Sequence, residues 1–225
     1  MEHFKRYAVY FAPRPGAFAD AAATWLGRDA VTGAAIPQPP VPALQDLTAD
    51  PRRYGFHGTI RAPFRPAQGL DVAAIAAAVE GLAAQLAPAQ GPGLRLADLH
   101  GFLALVPDDE ESAILRLGAA VVEGTEALRA PLTDAEIARR DPARLTPRQR
   151  SLLTRWGYPY VMDAFRFHLT LTNRLPPDRA ADVTAAAQAH FAPHLPRPFM
   201  IADLCLFGED AQGTFRLLHR YALSG

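Results

Sequence analysis

The sequence predicts an α+β protein with two antiparallel sheets, and three observations carry that expectation. Apolar runs rich in Val, Tyr, Phe and Leu alternate along the 225 residues with alanine-rich segments of helical period. Two pairs of these runs are separated by short turns, as the strands of antiparallel hairpins are. One pattern, phenylalanine, histidine, any residue, threonine, aliphatic residue, occurs twice, at Phe56-His57-Gly58-Thr59-Ile60 and Phe167-His168-Leu169-Thr170-Leu171. Elements alternating in this way bury sheets beneath helices. The length suffices for one large core and no break in composition marks a boundary, so residues 1–225 read as a single bilobed domain.

Arg6 to Ala12 is the first strand, ended by the turn Pro13-Arg14-Pro15-Gly16. Ala17 to Leu26 follows as a helix, with Phe18, Ala22, Trp25 and Leu26 near helical spacing and Gly27 as its stop. Pro37 to Pro42 is an extended connector, and the stretch ahead of the first histidine reads as loop. Tyr54 to Phe64 is a strand. Asp71 can cap a helix running to Leu86, with Pro88 beyond its end. Leu94 to Leu99 and Phe102 to Val106 form a hairpin about His100-Gly101, ahead of a helix from Ser112 to Leu128. Two short helical pieces lie between Pro131 and Trp156, the second opened by Thr146-Pro147, and mark an insert or lid at about residues 131–160. Phe165 to Thr172 is the second motif strand, Pro177 to Phe191 a helix, and Phe199 to Phe207 with Thr214 to Tyr221 a closing hairpin.

Lysine plus arginine and aspartate plus glutamate number 23 each. No global positive field gathers nucleic acid without regard to sequence, so an anion must be held locally. With 49% hydrophobic and 20% charged residues the composition is that of a folded soluble chain. The apolar stretch before Pro13 is too short for a signal-peptide core or a membrane span, and the expectation is a cytoplasmic protein with no membrane partner. Cys205, the single cysteine, excludes an internal disulfide and reads as a small residue in a buried strand.

The duplicated pattern carries the chemistry. Strand alternation sets His57, Thr59 and Arg61 on one face against Phe56 and Ile60 on the other. In the second copy Arg166, His168, Thr170 and Thr172 face away from Phe165, Phe167, Leu169 and Leu171. An imidazole exchanges a proton near neutral pH, a threonine hydroxyl donates to a phosphoryl oxygen, and a guanidinium offers a charged fork. Two such strands supply one histidine on either side of a phosphorus, one as base and one as acid. Phe-His-any-Thr is expected by chance about 0.02 times in a chain of this composition, so a pair is a strong signal.

Paired His-any-Thr strands in a two-lobed α+β chain resemble the 2H phosphoesterase superfamily, whose members act on cyclic phosphates and 2′,5′-linked nucleotides without metal. The chain is still more similar to one branch, DUF1045, encoded with bacterial phosphonate-utilisation genes. RYAVYFAP, WLGRDAVTGAAIPQP, RYGFHGTIRAPF, GFLALVP, RAPLTDAEIARR, LTPRQRSLLTRWGYPYV and FRFHLTLTNRL carry the resemblance over nearly the whole chain. Gly58 departs from it, standing where that family more often has alanine. The resemblance implies a LigT-like fold with its sheets flanking a central groove, His57 and His168 as the catalytic pair, Thr59 and Thr170 as phosphate-binding hydroxyls, and no cofactor or metal. Arg61 and Arg166 join as substrate-binding candidates through strand alternation, and Tyr7 as a residue that could reach the groove from the neighbouring strand. The implied substrate is a small phosphorylated sugar or nucleotide bearing a cyclic phosphate, above all 5-phosphoribosyl 1,2-cyclic phosphate.

Two other functions fit the same residues. The groove could hold a nucleotide or an RNA end without turnover, or scattered histidines could bind a metal. His190 and His194 are four apart, but Pro193 breaks the helix between them and no carboxylate or cysteine lies nearby in sequence. His100 and His219 read as turn and hairpin residues, and Asp108 to Glu111 as a solvated cap complementing a helix dipole. Arg150, Arg155, Trp156, Tyr158 and Tyr160 make the insert basic and aromatic, suited to closing over a sugar or base.

Overall fold

The five residues of strand β1 (Tyr7–Phe11) are all buried because both faces of the strand are covered. Tyr7, Val9 and Phe11 enter the main core, while Ala8 and Tyr10 join Cys205, Phe207 and Phe215 on the other side. This computed structural model describes residues 4–109 and 111–225. Helix α1 (Ala17–Leu26) ends where Gly27 takes a left-handed φ of 73°, and its buried Trp25 donates Nε1–H to the Leu171 carbonyl at 3.1 Å. The segment expected as loop contains two short helices, α2 (Leu44–Leu47) and α3 (Ala49–Tyr54). They lack a periodic pattern because distant partners hold them: Asn173 Oδ1 accepts from the Asp50 amide, and Arg52 donates to the Leu26 carbonyl.

Strand β2 (Gly58–Phe64) therefore begins only at Gly58, Tyr54 belonging to α3. Asp71 caps α4 (Val72–Ala83) as expected, accepting from the Ala74 amide at 2.8 Å. Next come β3 (Ala89–Gly91), then the hairpin of β4 (Leu94–Asp98) and β5 (Leu103–Pro107), whose turn uses positive φ at His100 and Gly101. Helix α5 (Ser112–Gly124) precedes the segment expected as an insert, where α6 (Asp134–Ala138) and α7 (Pro147–Trp156) are each opened by a capping box. Strand β6 (Leu169–Thr170) is two residues long, against an expected span from Phe165 to Thr172. Side chains consume its ladder: His168 Nδ1 takes the Arg166 carbonyl, and Thr172 Oγ1 accepts from the Leu103 amide. Helix α8 (Pro177–Phe191) matches its expected limits. Of the closing strands β7 (Phe199–Ile201), β8 (Asp203–Glu209) and β9 (Phe215–Ala222), only the last two pair as the hairpin, and β7 instead pairs with β3.

The fold is α+β, with an antiparallel seven-stranded sheet in the order β4-β5-β6-β2-β1-β8-β9 and a two-stranded ribbon. Its two halves join through one residue pair between β2 and β6, Gly58 opposite Leu169. Helices α1, α4, α5 and α8 cover one face, where Trp25, Ile75, Val121 and Phe191 pack with Phe56, Ile60, Phe167 and Leu169. Each fully buried side chain of this size contributes roughly 1.5–3 kcal/mol. The apolar side of both motif strands is thus the core side, and the opposite side is left for a groove. Among the described residues no helix is long and apolar enough to cross a membrane.

Candidate active site

The pair Gly58 and Leu169 lies at the centre of both motifs. Carried one residue further each way, the antiparallel register sets His57 beside Thr170 and Thr59 beside His168, a local two-fold relation with all four on the face opposite the core. Phe56 and Phe167 are buried beneath them at 3% and 2% exposure. A Cβ on Gly58 would stand 2.4 Å from the Phe167 ring, so this backbone approaches the second motif more closely than a side chain allows.

Both imidazoles are oriented in the same way. His57 Nδ1 lies 2.8 Å from the Gly55 carbonyl, and His168 Nδ1 lies 2.9 Å from the Arg166 carbonyl, each two residues back along its own chain. A carbonyl only accepts, so Nδ1 carries the hydrogen and Nε2 of the neutral ring is the acceptor. At His57 that nitrogen receives the Thr59 hydroxyl at 3.2 Å. Tyr10 stacks on the His57 ring with centroids 3.9 Å apart and planes 27° apart. Burial holds His57 down from its ordinary 6.5 to about 4; the Gly55 carbonyl opposes the shift and the charge of His168 adds to it. His57 is therefore neutral at physiological pH.

His57, Thr59 and Thr170 line a groove of about 380 Å3 together with three tyrosines, Tyr10, Tyr54 and Tyr158. His168 stands half-buried beside Phe102, their centroids 6.0 Å apart, and Phe102 is itself part of the groove wall. Arg6, Arg140 and Arg174 bring positive charge to the same wall.

Three expected binding residues stand elsewhere. The β1–β2 register shifts between Tyr10 opposite Thr59 and Val9 opposite Arg61, so β2 carries an extra residue there. The bulge breaks the alternation from Thr59 onward: Ala62 and Pro63 line the groove, while Arg61 is 2% exposed and paired with Glu126 at 2.8 Å. Arg166 is exposed and donates to the carbonyls of Asp163 and Phe165. Tyr7 lies in the main core against Phe4, and the groove tyrosine of β1 is Tyr10. Sequence reasoning also missed Arg174 and Asn173, although they follow the second motif directly, and Arg140 and Tyr54. Of the basic and aromatic insert residues it singled out, Tyr158 reaches the groove.

The other histidines among the described residues form no metal site. His190 Nε2 bonds the Ala21 carbonyl at 2.8 Å, and among the described residues no group of three or more His, Cys, Asp or Glu is placed to hold a metal. Burial raises the Cys205 thiol to about 11, which keeps it unreactive.

The family model described as "Protein of unknown function (DUF1045)" matches residues 59–216, well over half of the chain. The chain belongs to this family. DUF1045 is also the branch that the sequence motifs resemble. Two curated relatives of this DUF1045 chain are both described as "Ribose 1,5-bisphosphate phosphokinase PhnN". The one from Janthinobacterium sp. (strain Marseille) is 36% identical over 95% of this chain and 49% of its own length. The one from Laribacter hongkongensis (strain HLHK9) is 39% identical over 94% and 50%. The chain thus spans about half the length of these relatives. Among solved structures, E. coli LigT complexed with NADP+ is 14% identical, covering 99% of each chain with a TM-score of 0.44.

Proposed function

We propose that this chain is a metal-independent phosphodiesterase that opens a cyclic phosphate on a phosphorylated ribose. The observation that carries the reading is the pairing of Gly58 with Leu169, which sets two similarly oriented histidines and two threonines about a local two-fold axis on one face of the sheet. His57, neutral and with Nε2 as acceptor, takes a proton from water as its oxygen attacks phosphorus. His168, on the more open side, gives a proton to the departing ribose oxygen as the phosphorus–oxygen bond breaks. Thr59 and Thr170 donate to the non-bridging oxygens, the Thr59 hydroxyl leaving His57 Nε2 when phosphate enters.

The choice of sugar draws on the curated relatives. The only lysine of this chain is Lys5, so no G-x-x-x-x-G-K-[ST] phosphate loop is present, and a kinase of that kind would reside in the part of the relatives that this chain does not span. Breaking the bond from phosphorus to O2 of a 5-phosphoribosyl 1,2-cyclic phosphate leaves phosphate on C1. The product is ribose 1,5-bisphosphate, the compound in those relatives' description. We therefore assign O2 as the leaving group.

Turnover of 5-phosphoribosyl 1,2-cyclic phosphate and the 2′,3′-cyclic nucleotides, in chelator, tests the proposal. Wild type should open the sugar phosphate to a 1-phosphate, and His57→Ala or His168→Ala should each lower kcat by about 100-fold or more. Tight binding with no turnover would instead make the groove a receptor.

A further inference from the structure

Among the arginines of the groove wall, two differ from the others near the site. Arg6 is locked to Glu209 by bonds of 2.5 and 2.7 Å. Arg61 and Arg129 share Glu126, and Arg65 is held by Glu136. Arg140 and Arg174 line the groove without a carboxylate partner among the described residues. Arg140 is also fixed in place, its guanidinium lying 4.7 Å from the centroid of Tyr158. Tyr158 belongs to the same insert and the same wall. Asp50 is the one carboxylate of that wall, so the groove has a surplus of positive charge although the chain as a whole has none.

A cyclic phosphate diester carries one negative charge and is served by the two histidines and two threonines. A planar guanidinium held in a groove without an ion-pair partner of its own is matched to a phosphomonoester, which it can grip through two parallel hydrogen bonds. We propose that Arg140, positioned by Tyr158, is a specificity-determining residue that receives a second phosphate of the substrate, remote from the cyclic diester. The 131–160 insert then selects phosphorylated sugars over unphosphorylated nucleosides. This deepens the phosphodiesterase proposal and rests on it for the identity of the cyclic group.

The test compares kcat/KM on 5-phosphoribosyl 1,2-cyclic phosphate with that on ribose 1,2-cyclic phosphate, for wild type, Arg140→Ala, Arg140→Lys and Arg174→Ala. Wild type should prefer the phosphorylated substrate. Arg140→Ala should cut that preference by about 10- to 100-fold, the range of one charged hydrogen-bonded contact, and Arg140→Lys, with charge but no fork, by less. An unchanged preference in Arg140→Ala, or a loss confined to Arg174→Ala, overturns the assignment. A second arm needs no turnover: calorimetry with ribose 5-phosphate and with ribose. Tighter binding of ribose 5-phosphate by wild type and His57→Ala, lost in Arg140→Ala, upholds the phosphate site even if no cyclic phosphate is opened. Equal binding of the two sugars refutes it even if turnover is found.

Discussion

His57 is held by three neighbours at once: the Gly55 carbonyl on one nitrogen, the Thr59 hydroxyl on the other, and the Tyr10 ring on its face. This cage explains why burial wins over hydrogen bonding in setting its proton affinity. It has two pH consequences. The acid limb of kcat/KM, which reports the free enzyme, should fall near pH 4, below that of an exposed histidine. In kcat the limb should move to higher pH, because a bound phosphate anion favours the imidazolium. Stability follows the same titration. Unfolded, the ring takes its proton near 6.5, whereas in the folded protein it does so only at about 4. Stability from this residue is therefore full above pH 6.5, falls as the pH drops from there to about 4, and changes no further below. Urea midpoints across this window, with His57→Gln as the non-titrating control, should show a flatter slope in the variant.

At the scale of the element, β2 decides which side chains meet the groove. Its bulge turns Arg61 away to Glu126, where Nη1 is buried with no hydrogen-bond partner among the described residues. Glu126→Ala strands the buried Arg61 charge and also frees Arg129, so it should cost about 3–5 kcal/mol in denaturant unfolding. Arg61→Met, which removes the buried charge itself, should cost less and leave the groove's turnover near wild type. Gly58 provides a second check on the same strand. Gly58→Ala drives a Cβ into the Phe167 ring and should destabilise by about 1–3 kcal/mol, with part of the loss recovered when Phe167→Leu is added. A bulge is one extra residue in one strand of a pair, and nothing in GTIRAPF alone announces one. Strict alternation therefore placed Thr59 correctly and Arg61 wrongly.

For the molecule as a whole, net neutrality and a locally positive groove go together: charges balance over the chain, while Arg140 and Arg174 face the groove without a carboxylate partner among the described residues. Activity on a cyclic phosphate should persist after exhaustive chelation, and a loss of turnover restored by a divalent cation would refute the two-histidine mechanism. Local chemistry alone makes part of the fold legible along the chain. Helices α1, α4 and α8 announced themselves by period, cap and stop. The two motifs did so by repeating a pattern whose apolar residues needed a core and whose polar residues did not. The tertiary structure decided what depends on residues distant in sequence: α2 and α3, held by Asn173 and Arg52; the ribbon of β3 with β7; the gathering of Tyr10, Tyr54, Tyr158 and Arg140 in one wall; and the meeting of Gly58 with Leu169. Periodicity records which face of an element is apolar, but only packing across more than a hundred residues of chain decides which polar faces come to share a groove.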